Sequence, residues 1–375
     1  MSTKGHVVIA GASGVIGSAA VEHFAAQPNW EVTALSRRRP HLPDGLSYRF
    51  LTVDLQDSAS TAATLTGLPP VTHLIYAASK EARGLVGGWS DGQLIDENGH
   101  MFANLLDPLT HTGRLRHVCL LQGTKAYGAH QHPIQLPLRE DMPRDGHANF
   151  YWLHEDHLRQ SAGQANFAWT IFRPQVLFGS AAAVAMNPAL AVGAYAALCH
   201  ELQRPFVLPG AGESIGEFTD SRLLAAAFDW AFEQPAARAQ TYNITNGDVF
   251  VWAHAWPAIA NHLGLNATGT GAAPTSLEHF FATPTAQAAW QNLARRFGLK
   301  IPDLHTLLGE SHHYFDLLTS ARVSAKSAPP LLSTIKIRQD GFARCIDSLA
   351  SLHYWLARMA QLNILPPLPF LRPDT

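Results

Sequence analysis

A glycine-rich turn near the start of the chain limits its fold more than any other feature. Val7-Val8-Ile9 is a short apolar run typical of a buried strand, and Gly11-Ala12-Ser13-Gly14-Val15-Ile16-Gly17 follows it directly. Glycines at this spacing allow a tight strand-to-helix turn and let a pyrophosphate approach the backbone at the helix N-terminus. A plain turn is the alternative, which the flanking pattern disfavours. The predicted cofactor contacts in this turn are Gly11, Ser13, Gly14, Val15, Ile16 and Gly17.

Strand and helix patterns alternate through the first half of the chain. Strand-like runs occur at residues 31–35, 50–53, 73–77, 118–121 and 169–172, and helical stretches such as 15–26 and 94–106 lie between them. This alternation predicts βαβ units and a Rossmann-type parallel sheet flanked by helices, an α/β fold.

After about residue 179 the rhythm changes, and helical, Trp-rich and Pro-rich segments dominate. Residues 223–232 and 346–361 have helical patterns, and residues 240–244 form a late strand-like run. We therefore predict a cofactor-binding Rossmann domain over residues 1–180, with returning segments around 205–250. A smaller, mainly helical substrate-binding lobe over residues 181–375 is expected to interleave with it.

Composition narrows the class of partner. The formal net charge is −2, so no overall basic field would attract nucleic acid or an anionic membrane. The chain opens on a strand-like run without a signal-like apolar stretch, and its three cysteines are far apart. We expect a cytoplasmic protein that acts on a small molecule, without a nucleic-acid or membrane partner. A homodimer is left open.

The end of the second strand indicates which nicotinamide cofactor is used. NAD enzymes place an acidic residue about 20 residues after the glycines, where it binds the ribose 2′-hydroxyl. This chain has Ser36-Arg37-Arg38-Arg39 there instead. Guanidinium groups bind a 2′-phosphate, which a carboxylate would repel. We predict NADPH/NADP+ as the cofactor, with Arg37 and Arg38 on the phosphate and Ser36 as a hydroxyl donor; a solvated basic loop is the alternative.

Later strand ends supply the remaining predicted cofactor contacts. Residues 53–55 close the third strand, where an adenine ring is commonly held, and residues 76–78 end the fourth, where small side chains let a ribose approach the backbone. The segment after residue 173 is expected to pass the nicotinamide. These further predicted contacts are Asp54, Leu55, Ala77, Ala78, Gln122, Tyr151, Pro174 and Val176.

The usual catalytic signature of short-chain reductases is altered in this chain. That signature is Tyr-x-x-x-Lys, with a serine at the end of the fifth strand, and the tyrosine acts as the acid. Tyr151 opens a helix at the expected place, but Glu155 occupies the lysine position. Gly123 stands at the serine position, and Lys125 follows two residues later.

With these departures the chain resembles the progesterone 5β-reductase/iridoid synthase-like enone reductases, an atypical branch of the extended short-chain reductases. The match includes the glycine turn, Ser36-Arg37-Arg38, the segment around Lys125 and the Asn-Phe-Tyr-x-x-x-Glu-Asp motif at Tyr151. The resemblance implies 1,4-reduction of an activated C=C bond by NADPH. It gives Tyr151 the carbonyl oxygen and Lys125 the role of holding the tyrosine in a favourable electrostatic state.

Several alternatives stay open at this point. The enzyme could reduce C=O instead of C=C, or the chain could be a non-enzymatic NADP sensor. Tyr151 could be a buried aromatic at a helix start, and Tyr127 is a rival tyrosine. His154 and His157 suggest a metal ligand pair, but their three-residue spacing departs from the four-residue spacing of zinc helices, and we predict no metal. Tyr314 is a candidate substrate contact.

Overall fold

The computed structural model describes residues 4–85, 87–267, 276–320 and 329–368. They belong to two compact units. Unit 1 comprises the described residues within 1–175, 221–245 and 332–344, and unit 2 those within 176–220, 246–331 and 345–375. The segment that returns to unit 1 from the second half of the chain is 221–245, which is shorter than the predicted 205–250. Residues 332–344 also belong to unit 1.

Unit 1 is built on a seven-stranded sheet in which every neighbouring pair is parallel. The strand order is β3-β2-β1-β4-β5-β6-β9, so the chain reverses direction across the sheet between β1 and β4. Ligands of such sheets bind at this switch point, beyond the carboxyl ends of the strands. The strands are β1 (Gly5–Ala10), β2 (Trp30–Ser36), β3 (Arg49–Thr52), β4 (His73–Tyr76), β5 (His117–Leu121), β6 (Ala168–Pro174) and β9 (Gln240–Ile244).

Helices cover the sheet of unit 1, as apolar strands buried on both faces require. Helix α1 packs against α6, and α3 packs against α2 and α4. Asp57, Asp91 and Asn149 cap α2, α3 and α4, because each side chain accepts a backbone N–H of the first turn. The predicted Rossmann-type fold is confirmed. The helices are α1 (Val15–Ala25), α2 (Ser58–Thr66), α3 (Gly92–His111), α4 (Phe150–Ala165), α6 (Ser221–Glu233) and α12 (Ile335–Gln339).

The late segment 332–344 joins unit 1 through hydrogen bonds to β9. Lys336 Nζ donates to the carbonyl of Thr241 at 3.0 Å, and the hydroxyl of Tyr242 donates to Asp340 Oδ2 at 2.7 Å. The Asn243 amide donates to the carbonyls of Leu138 and Ser333. These bonds join residues about 90 or more positions apart, and local sequence patterns do not reveal such pairs.

Unit 2 is mainly helical and contains a small mixed sheet. Strand β7 (Val176–Phe178) runs parallel to β8 (Ile215–Asp220), and β10 (Val249–Val251) runs antiparallel to β8. Aromatic rings pack on this sheet, including Phe178 and Phe218, whose stacked centroids lie 4.8 Å apart. The helices are α5 (Pro188–Glu201), α7 (Trp252–His262), α8 (Leu277–Phe281), α9 (Pro284–Phe297), α10 (Leu304–Leu308), α11 (Ser311–Thr319) and α13 (Ser348–Gln361).

One buried carboxylate links the segments of unit 2. Asp220 is fully buried at the end of β8 and accepts a hydrogen bond from the hydroxyl of Ser351 in α13 at 2.7 Å. Its backbone N–H donates to Asn246 Oδ1 at 2.6 Å.

Three tryptophans of this unit are fully buried core residues: Trp252, Trp290 and Trp355. Within the described part of the chain, every helix is too short or too polar to traverse a lipid bilayer.

Candidate active site

The glycine turn packs so closely that side chains are excluded at two of its positions. Gly11 has φ +77°, and a Cβ placed there would lie 2.5 Å from the carbonyl oxygen of Ala77. A Cβ on Gly17 would overlap the carbonyl oxygen of Gly11. Among the described residues no side chain caps α1, whose N-cap residue is Gly14. The turn therefore presents backbone N–H groups and the positive end of a helix dipole, which suit an anionic pyrophosphate.

The other residues of the turn are placed unevenly. Ser13 and Ile16 are half-buried at the start of α1, whereas Val15 packs into the core of unit 1. The backbone N–H groups of Gly11 and Ala12 both donate to the carbonyl of Leu35, which joins the turn to β2. These two bonds hold the turn beside the arginine segment that follows β2.

Two arginines project at the end of β2. Arg37 and Arg38 are exposed, and Arg39 lies over the ring of Phe50 at 4.7 Å. Desolvation and the neighbouring charge of Arg37 both lower the pKa of Arg38. The Ser36 hydroxyl donates to the carbonyl of Arg38 at 2.6 Å, so in this structure it closes the arginine turn. Its predicted role as a phosphate donor stays a prediction.

The ends of β3 and β4 lie at the same edge of the sheet as the glycine turn. Asp54 is exposed, and its Oδ1 accepts the backbone N–H of Gln56 at 3.1 Å. Leu55 is buried, and its carbonyl accepts a hydrogen bond from the Asn104 amide. Ala77 and Ala78 are half-buried, and each has only a methyl side chain. Contacts of these four residues with a cofactor stay predictions.

Tyr151 reaches across to the end of β5. The residue lies in the first turn of α4, and its ring is half-buried. A Cβ built on Gly123 would lie 3.3 Å from the phenol oxygen of Tyr151 and 3.7 Å from the carbonyl oxygen of Pro174. The phenol thus stands over bare backbone, at the strand end where the common motif has a serine.

Trp89 brings Lys125 and Tyr151 together. The Lys125 amine lies 3.0 Å from the centre of the Trp89 ring, a cation–π contact. The Tyr151 ring meets the same indole edge-on, with 5.6 Å between centroids. Burial lowers the pKa of Lys125 to about 7, and the charge of Glu81 opposes this shift. Burial in turn raises the pKa of Glu81.

Asn149 connects the two residues through the backbone. Its side-chain oxygen accepts the N–H of Tyr151 at 3.0 Å, and its amide nitrogen donates to the carbonyl of Lys125 at 3.2 Å. Asparagine is a preferred N-cap, so the cap itself is readable from the sequence. The bond to Lys125, and the roles of Trp89 and Glu81, follow no local motif and were missed.

Glu155, at the lysine position of the common motif, is held by arginines. Its Oε1 accepts hydrogen bonds from Arg159 at 2.8 and 3.0 Å and lies 3.2 Å from Arg144 Nη2. Burial alone would raise the pKa of Glu155, but the hydrogen bonds from Arg159 and Gln122, together with the charges of Arg144 and Arg159, outweigh it, so its pKa is lowered. Glu155 is an ionised anchor for α4.

Gln122 completes the same network. Its amide donates to Glu155 Oε2 at 3.1 Å and to the carbonyl of Tyr151 at 3.3 Å, while its oxygen accepts from Arg173 Nε at 2.8 Å. The side chain therefore joins the end of β5 to the helix that carries Tyr151. Contact of Gln122 with a cofactor stays a prediction.

The alternative candidates have structural partners. The Tyr127 hydroxyl donates to Asn243 Oδ1 at 2.7 Å, and the ring is buried. His154 donates to the carbonyl of Asn98 at 2.8 Å, whereas His157 bonds to Asp107. The two histidines thus have separate partners. Within the described residues, no group of three or more His, Cys, Asp or Glu side chains is placed to bind a metal ion.

Two predicted site residues belong to unit 2. Val176 is buried at the start of β7, and Tyr314 is half-buried in α11. Their predicted contacts, with nicotinamide and with substrate, stay predictions.

Comparison with known proteins gives consistent matches. A family model described as the NAD dependent epimerase/dehydratase family matches residues 7–245. The chain is 28% identical over 377 residues to an (S)-8-oxocitronellyl enol synthase of Antirrhinum majus, covering 96% of this chain and 92% of that protein. It is 30% identical over 280 residues to a 3-oxo-Delta(4,5)-steroid 5-beta-reductase of Arabidopsis thaliana, covering 70% of each.

The fold is also found among solved structures. A short-chain dehydrogenase/reductase superfamily protein from Agrobacterium tumefaciens, with bound NAD, superposes with a TM-score of 0.61. The identity is 15%, and the match covers 95% of this chain and 96% of that one. At this identity the likeness shows the fold alone.

We predict that Glu155→Lys, which restores the lysine of the common motif, will destabilise the protein instead of repairing the motif. The new ammonium would be buried among Arg144, Arg159 and Arg173, three groups of like charge. Breaking a buried charge network in this way costs about 3–5 kcal/mol. Chemical denaturation measures the free energy of unfolding.

Gln160→Lys is the control, because it introduces the same lysine side chain at an exposed position of the same helix. We expect its free energy of unfolding to stay within about 0.5 kcal/mol of the original. Equal stabilities for the two variants would show that Glu155 does not anchor α4.

Proposed function

Since the chain belongs to the NAD dependent epimerase/dehydratase family, and within it to the progesterone 5β-reductase/iridoid synthase-like reductases, we propose that it reduces an activated C=C bond with NADPH. It is an oxidoreductase of the extended short-chain dehydrogenase/reductase type and depends on a nicotinamide cofactor. The proposed substrate is an enone or enal. The observation that carries the proposal is the Tyr151 phenol, which stands over Gly123 while its ring shares Trp89 with Lys125.

Tyr151 provides the hydrogen bond that this reaction needs. Bound NADPH would supply a hydride to the β-carbon, and negative charge would then develop on the carbonyl oxygen of the substrate. A phenol O–H aimed at that oxygen stabilises the enolate, and one such pre-placed donor contributes about 3–4 kcal/mol in comparable sites. With no side chain at Gly123, the substrate oxygen can approach the phenol from the strand end.

Lys125 supplies the positive charge near this donor. Trp89 lies against the ammonium on one side, and Tyr151 packs on the edge of the same indole. A cation in a desolvated site acts on a developing oxyanion more strongly than it would in water. Asn149 fixes the position of Lys125 relative to Tyr151, because its side chain hydrogen-bonds to the backbone of both.

The preference for NADPH rests on charge at the end of β2. Arg37 and Arg38 lie in the turn that the Ser36 hydroxyl closes, and the sequence places no carboxylate there to meet a 2′-hydroxyl. Two adjacent guanidinium groups repel each other, and a dianionic phosphate between them removes that repulsion. The pyrophosphate would lie on the backbone of the glycine turn.

The decisive assay is a panel of cyclic enones, enals and ketones with NADPH, followed by product analysis. The proposal expects the saturated carbonyl compound. An allylic alcohol as the product would make the enzyme a carbonyl reductase. Binding of NADPH without turnover of any compound would favour the redox sensor.

We predict that Tyr151→Phe lowers kcat about 100- to 1000-fold, because it removes one donor to the developing oxyanion. Affinity for NADPH should be retained, as measured by fluorescence titration. Tyr127→Phe is the matched control: it removes a hydroxyl whose partner is Asn243, so it should lower stability and leave kcat unchanged. Unchanged turnover in Tyr151→Phe would exclude the proposed mechanism.

We predict that Arg37→Ala combined with Arg38→Ala weakens NADPH binding about 100-fold, as expected for the loss of about 3 kcal/mol of charge-assisted hydrogen bonding. NADH binding should change little, since NADH has no 2′-phosphate. Arg39→Ala is the control, because Arg39 packs on Phe50. Equal weakening of both cofactors by the double variant would show that the arginines do not bind the phosphate.

We predict that kcat falls as the pH rises through about 7, because Lys125, with its pKa lowered to about 7, loses its proton there. Lys125→Arg should keep its charge at higher pH and remove this fall. Glu81→Gln should move the fall to lower pH, since the Glu81 charge raises the pKa of Lys125. A pH profile that Glu81→Gln leaves unmoved would contradict this assignment.

A further inference from the structure

A chain of hydrogen bonds reaches the candidate active site from a segment that no motif marks. Asp145 Oδ1 lies 2.6 Å from His147 Nδ1, and His147 Nε2 lies 3.1 Å from the amide nitrogen of Asn149. Asn149 in turn bonds to the backbone of Lys125 and of Tyr151. These hydrogen bonds therefore connect Asp145 to both residues of the proposed catalytic pair, Lys125 and Tyr151.

The direction of each bond in this chain is determined by its neighbours. The backbone N–H of Tyr151 can only donate, so the Asn149 atom facing it is the oxygen. The Asn149 amide nitrogen therefore faces His147 and donates to Nε2. His147 is left with its proton on Nδ1, which donates to the Asp145 carboxylate.

Asp145 is a fixed anion in this arrangement. Besides His147, its other carboxylate oxygen bonds to His132 Nε2 at 2.5 Å, and the backbone N–H of His147 donates to Oδ1 at 3.2 Å. Hydrogen bonds from the two histidines lower the pKa of Asp145 to about 2. The His130 ring packs edge-on against His147, with 4.8 Å between centroids, and also meets Trp89.

We propose that Asp145 and His147 are positioning residues for the reduction, acting through Asn149 on Tyr151 and Lys125. The inference rests on the proposed function, since it concerns the same site. Asp145 orients the His147 ring, and the ring offers Asn149 an acceptor at a fixed place. Asn149 is thereby held in the one orientation that caps Tyr151 and binds the Lys125 carbonyl together. Neither residue touches the reacting atoms in this scheme.

The test compares two amide replacements at residue 147. His147→Asn keeps a donor near Asp145 but is too short to reach Asn149, whereas His147→Gln carries an acceptor oxygen at the place of Nε2. We expect His147→Asn to lower kcat about 10- to 100-fold, a range typical of a small misplacement of catalytic groups. KM and NADPH affinity should change less than about twofold. His147→Gln should restore part of kcat, because its oxygen can accept from Asn149 although it lacks the Nδ1 donor that Asp145 orients.

His157→Asn is the matched control, because His157 on α4 makes a similar bond to a carboxylate, that of Asp107, and does not belong to the hydrogen-bond chain of Asp145, His147 and Asn149. Its kcat should stay within about twofold of the original. Combining His147→Asn with Tyr151→Phe should cost no more than Tyr151→Phe alone, because residues acting as a unit are not additive. Additive losses, or equal kcat for His147→Asn and His147→Gln, would overturn the proposal.

Hydrogen exchange separates this inference from the proposed function. The amide of Tyr151 and the first turn of α4 should exchange faster in His147→Asn than in His157→Asn, whether or not any enone is reduced. If the unsubstituted protein reduces no enone and the two variants still differ in exchange, the proposed function is wrong but the hydrogen-bond chain remains supported. Unchanged exchange in His147→Asn would remove the positioning role by itself.

Discussion

The buried carboxylate of Glu155 determines where the proposed active site can obtain its positive charge. In the common motif the cation is a lysine one helical turn after the tyrosine, on the same face of the helix. Here that place holds an anion that Arg144, Arg159 and Gln122 stabilise, and it fixes α4 against the end of β5. A lysine at this position would be buried among Arg144, Arg159 and Arg173, so in the proposed site the cation comes from another element. A short 3-10 helix after β5, Thr124–Tyr127, provides it as Lys125.

The position of Lys125 after β5, instead of on α4, determines the electrostatic environment of its ammonium group. Lys125 is half-buried, and its amine lies against the Trp89 ring. Burial penalises the charged form, and the aromatic face and the Glu81 charge offset part of that penalty. The result is an ammonium whose protonation is sensitive to small changes nearby. Asn149 holds this short helix in place, because its amide donates a hydrogen bond to the carbonyl of Lys125.

Local patterns were sufficient for most of the scaffold. The glycine turn and the seven strands of unit 1 follow from apolar runs and helix-start signals, because each such signal lies within a few residues. Contacts between distant segments were not accessible in this way. Trp89 meets Lys125 from 36 residues away, and segment 332–344 reaches β9 through single side chains. No sequence motif marks His147 and Asp145, and their proposed role follows from the hydrogen bonds that join them to Asn149.

The two ends of the proposed cofactor site share one electrostatic principle. At one end, desolvation and the charge of Arg37 disfavour the charged form of Arg38. At the other end, burial disfavours the charged form of Lys125. An arriving negative charge relieves each of these costs, whether it is a 2′-phosphate or a developing enolate oxygen. The cations therefore gain most when the anion is present, which is the condition for selective binding at one end and for stabilisation of a transition state at the other.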